Sequence, residues 1–346
     1  METILKVENL IVEFSVRGKI LKAIRNISLD LYKGESLAIV GESGSGKSVL
    51  IKSMTGMLEE NGSIASGSIV FEGQELTRLR KNSQWAGIRG TKIATVFQDP
   101  MTALNPMRRI GSQIEEVLRL HQKLGRREAK AKALELMEKV DILEPETRYR
   151  QYPHEFSGGM RQRIVIAIAL ACRPKILLCD EPTTALDVRV QSQILALIKE
   201  LQQEFGFTVV YITHDLGVVA SVADRVAIMY AGQIVEYGTA ADIFYRSAHP
   251  YTWALLSSLP QLSFGKSDLY AIGGTPPSLF HHIKGDAFAP RNPYALKIDF
   301  EEEPPFFALS PTHYAKTWLL DKRAPKTSRP ELLQNLHEKL KELYAT

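Results

Sequence analysis

The sequence predicts an α/β fold: a mainly parallel sheet with an antiparallel β edge, an inserted α-helical subdomain and a loop-rich C-terminal extension. Three observations predict it. Short apolar runs at residues 36–40, 176–179 and 208–213 read as buried strands. Helical patterns alternate with them at 47–57, from Gly159 onward and over 190–204, and such alternation lays strands parallel. Within about 99–155 the apolar residues Ile114, Val117, Leu118, Leu120 and Leu124, then Ala133, Leu134, Leu136 and Met137, recur at helical spacing.

In chain order, residues 4–14 alternate in period two, and 24–31 do so again after a turn at Gly18, which suggests the antiparallel edge. Residues 36–40 run into glycines and then into the helical pattern at 47–57, so strand, glycine loop and helix follow one another. The helical insert comes next, then the alternating strands and helices to residue 213. Past Ala248 prolines and glycines become frequent, 301–305 is a charged, proline-ended loop, and 330–344 has the last helical pattern. Two units are expected: an α/β core at 1–245 and a loop-rich extension at 246–346.

Composition narrows the function. Hydrophobic residues make up 45% and charged residues 24% of 346, the balance of an ordinary globular protein. The net charge is +4, with basic residues spread along the chain, which argues against a nucleic-acid partner. Cys172 and Cys179 are the only cysteines, too few for a disulfide framework, and a reducing cytosol fits. The first residues lack the basic, apolar and small-residue order of a signal peptide. No apolar stretch approaches the roughly 18 residues a membrane span requires, since the run at 164–172 is stopped by Arg173 and Pro174. Membrane association is therefore expected through a partner.

Two segments carry chemistry directly. Gly41-Glu42-Ser43-Gly44-Ser45-Gly46-Lys47-Ser48, followed by Val49, matches a phosphate-binding loop. Its glycines allow main-chain N–H groups and the next helix N-terminus to face phosphates. Lys47 is expected on the β- and γ-phosphates of ATP, and the Ser48 hydroxyl on Mg2+. The apolar run at 176–179 ends in Asp180 and Glu181, where ligands bind in α/β sheets. Asp180 is placed for magnesium, directly or through water, and Glu181 for polarising the water that attacks the γ-phosphate.

Further segments resemble the ABC ATPase family over about residues 5–245. Phe156-Ser157-Gly158-Gly159-Met160-Arg161-Gln162-Arg163 resembles its signature motif; a serine and two glycines opening a helix also make a second anion site. The resemblance implies a head-to-tail dimer, with Ser157, Gly158 and Gly159 touching the γ-phosphate held by the opposing subunit. It further implies Gln98 as the Q-loop glutamine that senses magnesium and water, and His214 as the switch histidine on the γ-phosphate. Asp187 would lie in the loop signalling between subunits. Phe14 would stack on adenine, although an edge-strand core position reads equally well.

The stretches at 152–160, with Met160, and at 180–188 resemble the D-type ATPase of oligopeptide and dipeptide permeases. His249-Pro250-Tyr251-Thr252 and Gly274-Thr275-Pro276-Pro277 resemble that branch's C-terminal extension. The resemblance implies an F-type ATPase as heterodimer partner, two transmembrane permease subunits gripped by the helical insert, and an extracytoplasmic peptide-binding protein. It places the chain at the cytoplasmic face of the cell membrane as a peripheral protein. The resemblance implies that many relatives carry four cysteines for an iron–sulfur cluster where this chain has Asp286, Asn292, Asp299 and Thr317. Those are hard oxygen ligands, so no cluster is expected; a hard cation on Asp286 and Asp299 is the alternative. Import of another solute such as nickel, a soluble ATPase acting on DNA or ribosomes, and a non-hydrolysing regulatory subunit are the rival readings; Glu181 argues against the last.

Overall fold

The N-terminal alternation becomes a long hairpin, β1 (Thr3–Val16) and β2 (Lys19–Tyr32), which pair antiparallel across a turn at Gly18. The computed structural model describes residues 2–184, 186–259 and 272–334. β3 (Ser36–Val40) and α1 (Lys47–Thr55) flank the glycine loop, and β4 (Gly62–Phe71) and β5 (Gln74–Glu75) follow. β4 pairs with the free side of β1, so the antiparallel strands make a four-stranded sheet of their own in the order β2-β1-β4-β5. β4 carries Gly62, Ser63, Ser66, Gly67 and Ser68, which hid it from the period-two pattern.

The second sheet has eight strands. They are β6 (Ile93–Val96), β7 (Ile176–Asp180), β8 (Thr208–Thr213), β9 (Arg225–Tyr230), β10 (Gln233–Thr239), β11 (Phe307–Ala308), β12 (Tyr314–Ala315) and β3, in the order β11-β12-β10-β9-β3-β8-β7-β6. From β6 to β9 the pairing is parallel, and β10 and the extension's two strands run antiparallel to their neighbours. The central strands are apolar throughout because both faces are covered. Leu37, Ile39, Leu178, Val210 and Ile212 pack with the first sheet and with Leu50, Ile51 and Met54 of α1. Ala38, Val40, Leu177, Cys179, Val209 and Tyr211 face the helices on the other side.

After α2 (Asn82–Trp85), the helical insert contains α3 (Pro100–Ala103), α4 (Ile110–Gln122), α5 (Arg126–Lys139) and α6 (Pro145–Arg148). Ile110, Ile114 and Leu118 on α4 and Ala129, Ala133 and Met137 on α5 recur every four residues and are buried together. Leu120, part of the expected apolar face, points outward and is exposed. α7 (Gly158–Leu170), α8 (Val188–Phe205) and α9 (Leu216–Val222) cover the parallel sheet.

The extension is built onto this core. α10 (Ala240–Arg246) leads to α11 (Pro250–Ser257), all eight of whose residues are buried. Glu236 of β10, wholly buried, accepts hydrogen bonds from the main-chain N–H groups of Ala248 and His249 and pairs at 2.8 Å with Nε2 of His313. Asp286, Asn292, Asp299 and Thr317 are also buried. Of the helix expected over 330–344, Glu331–Leu333 is a 3-10 turn and 335–346 lie outside the described residues.

Candidate active site

The parallel strands β3, β6, β7 and β8 end side by side, and the chain leaves each end with a polar group. Val40 stands beside Thr213, Asp180 beside Ile212 and Val96 beside Cys179, so register alone gathers the glycine loop, Gln98, Glu181 and His214 at one edge. They line a cleft of about 820 Å³ with Phe14, Leu21 and Ala23 of the first sheet.

The loop is shaped to bring main chain close to a ligand. A Cβ on Gly41 would lie 2.0 Å from the Met229 carbonyl oxygen, and Gly46 adopts a φ of 102° as N-cap of α1. No side chain caps that helix end and its first turn holds no acidic residue, which leaves the N–H groups and positive dipole end for an anion. Gly41, Glu42, Ser43, Gly44, Gly46, Lys47, Ser48 and Val49 line the cleft, while Ser45 is buried within the turn. The Lys47 ammonium donates to the carbonyls of Gly41 at 2.7 Å and Glu42 at 2.9 Å. Burial lowers the Lys47 pKa, opposed by the carboxylates of Glu181, Asp180 and Glu42.

Two carboxylates have separate surroundings. Asp180 accepts a hydrogen bond from the Ser48 hydroxyl at 3.2 Å; burial raises its pKa, and that hydrogen bond opposes the rise. Ser48 and Asp180 together present the hard oxygen donors that suit magnesium. Glu181 has a φ of 46°, a left-handed conformation uncommon for a residue with a side chain. Its Oε2 accepts from Gln98 Nε2 at 3.1 Å and from Thr184 Oγ1 at 2.9 Å, and its Oε1 lies 3.2 Å from His214 Nδ1.

Residues 24–184 match the family described as ABC transporter, and 235–298 match the oligopeptide/dipeptide transporter C-terminal region. The chain is 61% identical over 339 residues to the oligopeptide transport ATP-binding protein AmiE of Streptococcus pneumoniae, covering 98% of this chain and 96% of that protein. It belongs to the ATP-binding subunits of the oligopeptide/dipeptide ABC transporters.

Other relatives of this ABC subunit are the dipeptide transport ATP-binding protein DppD of Lactococcus lactis subsp. cremoris, 56% identical over 94% of both chains, and the oligopeptide transport ATP-binding protein OppD of Bacillus subtilis, 54% identical over 97% of this chain and 94% of that one. Among solved structures, the dimeric post-hydrolysis ATP-binding cassette MJ0796, bound to ADP and Pi, superposes with a TM-score of 0.61 at 29% identity, covering 68% of this chain and 98% of that one.

The remaining motif residues of the ABC subunit lie elsewhere on its surface. Ser157 caps α7, its hydroxyl accepting from the Met160 N–H at 3.4 Å, with Gly158 exposed and Gly159 half-buried beside it. Gly159 is backed by Val190, which a Cβ would meet at 2.5 Å, and Asp187 caps α8 through the Val190 N–H at 3.0 Å. None of these four lines the cleft of its own chain. Phe14 does, its ring lying against Gly62.

Several site residues were not singled out in the sequence. Thr184 lies inside the stretch at 180–188, but only the fold turns its hydroxyl onto Glu181. Leu255, Ser258, Ile272 and Leu279 of the extension form a further wall of the cleft, and Arg291 reaches Glu42. The Arg291–Glu42 contact joins residues 249 positions apart, and no local pattern encodes it.

Proposed function

We propose that this ATP-hydrolysing subunit powers peptide import as one half of a heterodimer with an F-type ATPase. The pair would sit on the cytoplasmic side of two membrane-spanning subunits served by an extracytoplasmic peptide-binding protein. The observation that carries the reading is a divided site: the glycine loop and the Glu181 cluster share one cleft, whereas Ser157, Gly158 and Gly159 form a helix tip that does not line that cleft. A second subunit placed head to tail completes such a site. The names of the relatives support the cargo, and the match at 235–298 extends that support into the extension.

Within the site, main-chain N–H groups of Gly44, Gly46, Lys47 and Ser48 cradle the phosphates and the Lys47 ammonium neutralises them. Ser48 and Asp180, with Gln98, are the residues that would hold magnesium, which supplies charge neutralisation on the phosphate oxygens when bound. Glu181 orients and polarises the attacking water, His214 fixes Glu181 and reaches toward the γ-phosphate, and Phe14 stacks on the base. Asp187 lies where two subunits would meet. In the extension, buried oxygen groups of Asp286, Asn292, Asp299 and Thr317 do not suit an iron–sulfur cluster, which is held by thiolates, and we propose none there.

No helix among the described residues is long and apolar enough to cross a membrane. A groove of about 360 Å³ beside the insert, lined by Met57, Phe97, Val117, Val165 and Ile168, offers an apolar seat for a membrane subunit. Purification in detergent tests the assembly. Recovery with a second ATPase and two membrane subunits is expected; recovery with nucleic acid at low salt would favour an ATPase acting on DNA or ribosomes instead.

A further inference from the structure

Glu42 lines the cleft from within the phosphate loop, where the charge of its carboxylate would repel a triphosphate. Its charge is felt by Lys47 in the same loop. The chain answers that charge from 249 residues away. Arg291 donates from Nη1 to Glu42 Oε2 at 2.7 Å and from Nη2 to Glu42 Oε1 at 3.0 Å, a two-pronged guanidinium–carboxylate pair.

The Arg291 side chain is only 5% exposed, and every part of its guanidinium is engaged. Nη1 also donates to the Tyr230 hydroxyl at 3.2 Å, Nε to the Gly273 carbonyl at 2.8 Å, and Nη2 to the Ile272 carbonyl at 3.4 Å. The plane lies near the rings of Tyr230 and Phe288, 5.7 and 5.9 Å from their centroids. Those rings pack with Tyr251 of α11 at centroid distances of 4.6 and 5.2 Å. Tyr251 in turn accepts the Glu42 main-chain N–H at 2.9 Å. The extension therefore holds Glu42 twice, by side chain and by backbone, while the Glu42 carbonyl accepts from Lys47. The extension also walls the cleft directly: the Leu279 carbonyl accepts from the Lys22 N–H of β2 at 3.1 Å, and Leu279 and Ile272 face the cleft that Phe14 lines.

We propose that Arg291 is a positioning residue for nucleotide binding, cancelling the charge of Glu42 and fixing the first turn of the phosphate loop, so that ATP affinity depends on how the extension is seated. The inference rests on the nucleotide reading of the cleft. An arginine serving only to hold the fold would alter stability without a charge-specific effect on ATP.

The test uses the assembled transporter, with ATP turnover and thermal stability measured together. Arg291→Gln leaves Glu42 uncompensated and raises the KM for ATP by about tenfold, with kcat changed far less. Arg291→Lys gives an intermediate KM, since an ammonium restores charge without the fork. In a Glu42→Gln background the Arg291→Gln substitution shifts KM by less than about twofold, because no carboxylate remains to be neutralised. High salt narrows the gap between Arg291→Gln and the parent. An unmoved KM in folded Arg291→Gln overturns the proposal, as does the same KM rise with and without the Glu42 carboxylate. If Arg291→Gln does not assemble, Arg291→Lys with and without Glu42→Gln makes the same comparison. Absence of turnover in the parent complex would count against the nucleotide reading itself, a separate result.

Discussion

His214 and Glu181 meet at 3.2 Å between Nδ1 and Oε1, at the ends of strands β8 and β7. With Gln98 and Thr184 on its other oxygen, the Glu181 carboxylate is fixed in place on a main chain already in a left-handed conformation. Such a constrained carboxylate suits proton acceptance from an aligned water. Glu181→Gln keeps the shape and removes the basicity, so kcat for ATP should fall by about 10²–10⁴ while nucleotide still binds. Phosphate release by the purified complex measures this; turnover near that of the parent would take Glu181 out of the chemistry.

Thr184 supplies one of three hydrogen bonds to the same carboxylate. Thr184→Val keeps the volume and deletes the hydroxyl, and should lower kcat by about tenfold with little change in KM for ATP. Thr184→Ser restores the donor and most of the rate. Equal losses in the valine and serine variants would mean that the methyl packing matters and the hydroxyl does not.

The parallel strands and the glycine loop were legible because each is a local pattern. An apolar run needs both faces covered, and Ala38, Leu37 and their neighbours do face opposite layers. The strand ends were legible for the same reason, since Asp180, Glu181 and His214 stop apolar runs. β4 was hidden by its glycines and serines, which are poor strand signals and here sit on a largely exposed edge. The joining of extension to core was hidden more deeply. Neither Glu236 with His313 nor Glu42 with Arg291 has any sequence proximity, and a buried charged residue betrays its partner only after folding.

Gly41 tests the loop's geometry apart from its chemistry. An added methyl would meet the Met229 carbonyl at 2.0 Å and the Ser45 hydroxyl at 2.8 Å, and the former belongs to β9 and cannot turn aside. Gly41→Ala should destabilise the subunit by about 1–3 kcal/mol and weaken nucleotide binding with it. Gly73→Ala, at a turn with a φ of 78° and open space around it, is the comparison: only conformational strain of about 1 kcal/mol and no effect on nucleotide. Thermal melting with and without ATP reads both. A Gly41→Ala protein that binds ATP normally would show that the loop tolerates displacement.

His249 sets an acid limit on the extension. It is fully buried, its Nδ1 accepts the Tyr251 N–H at 3.0 Å to cap α11, and its main-chain N–H donates to Glu236, which also pairs with His313. Burial, with help from the positive Lys316, pushes its pKa from 6.5 down to about 3. The unfolded chain therefore binds a proton between those values that the folded chain refuses. The stability contributed by neutral His249 is full above pH about 6.5 and is lost as pH falls toward about 3, at up to roughly 1.4 kcal/mol per pH unit. His249→Asn retains a side-chain oxygen for the cap and removes the titration. Denaturant unfolding at pH 7 and 4.5 should show a smaller acid loss in the variant than in the parent, even if the variant starts lower because of the lost ring. Identical losses would place the acid sensitivity in other groups of the chain.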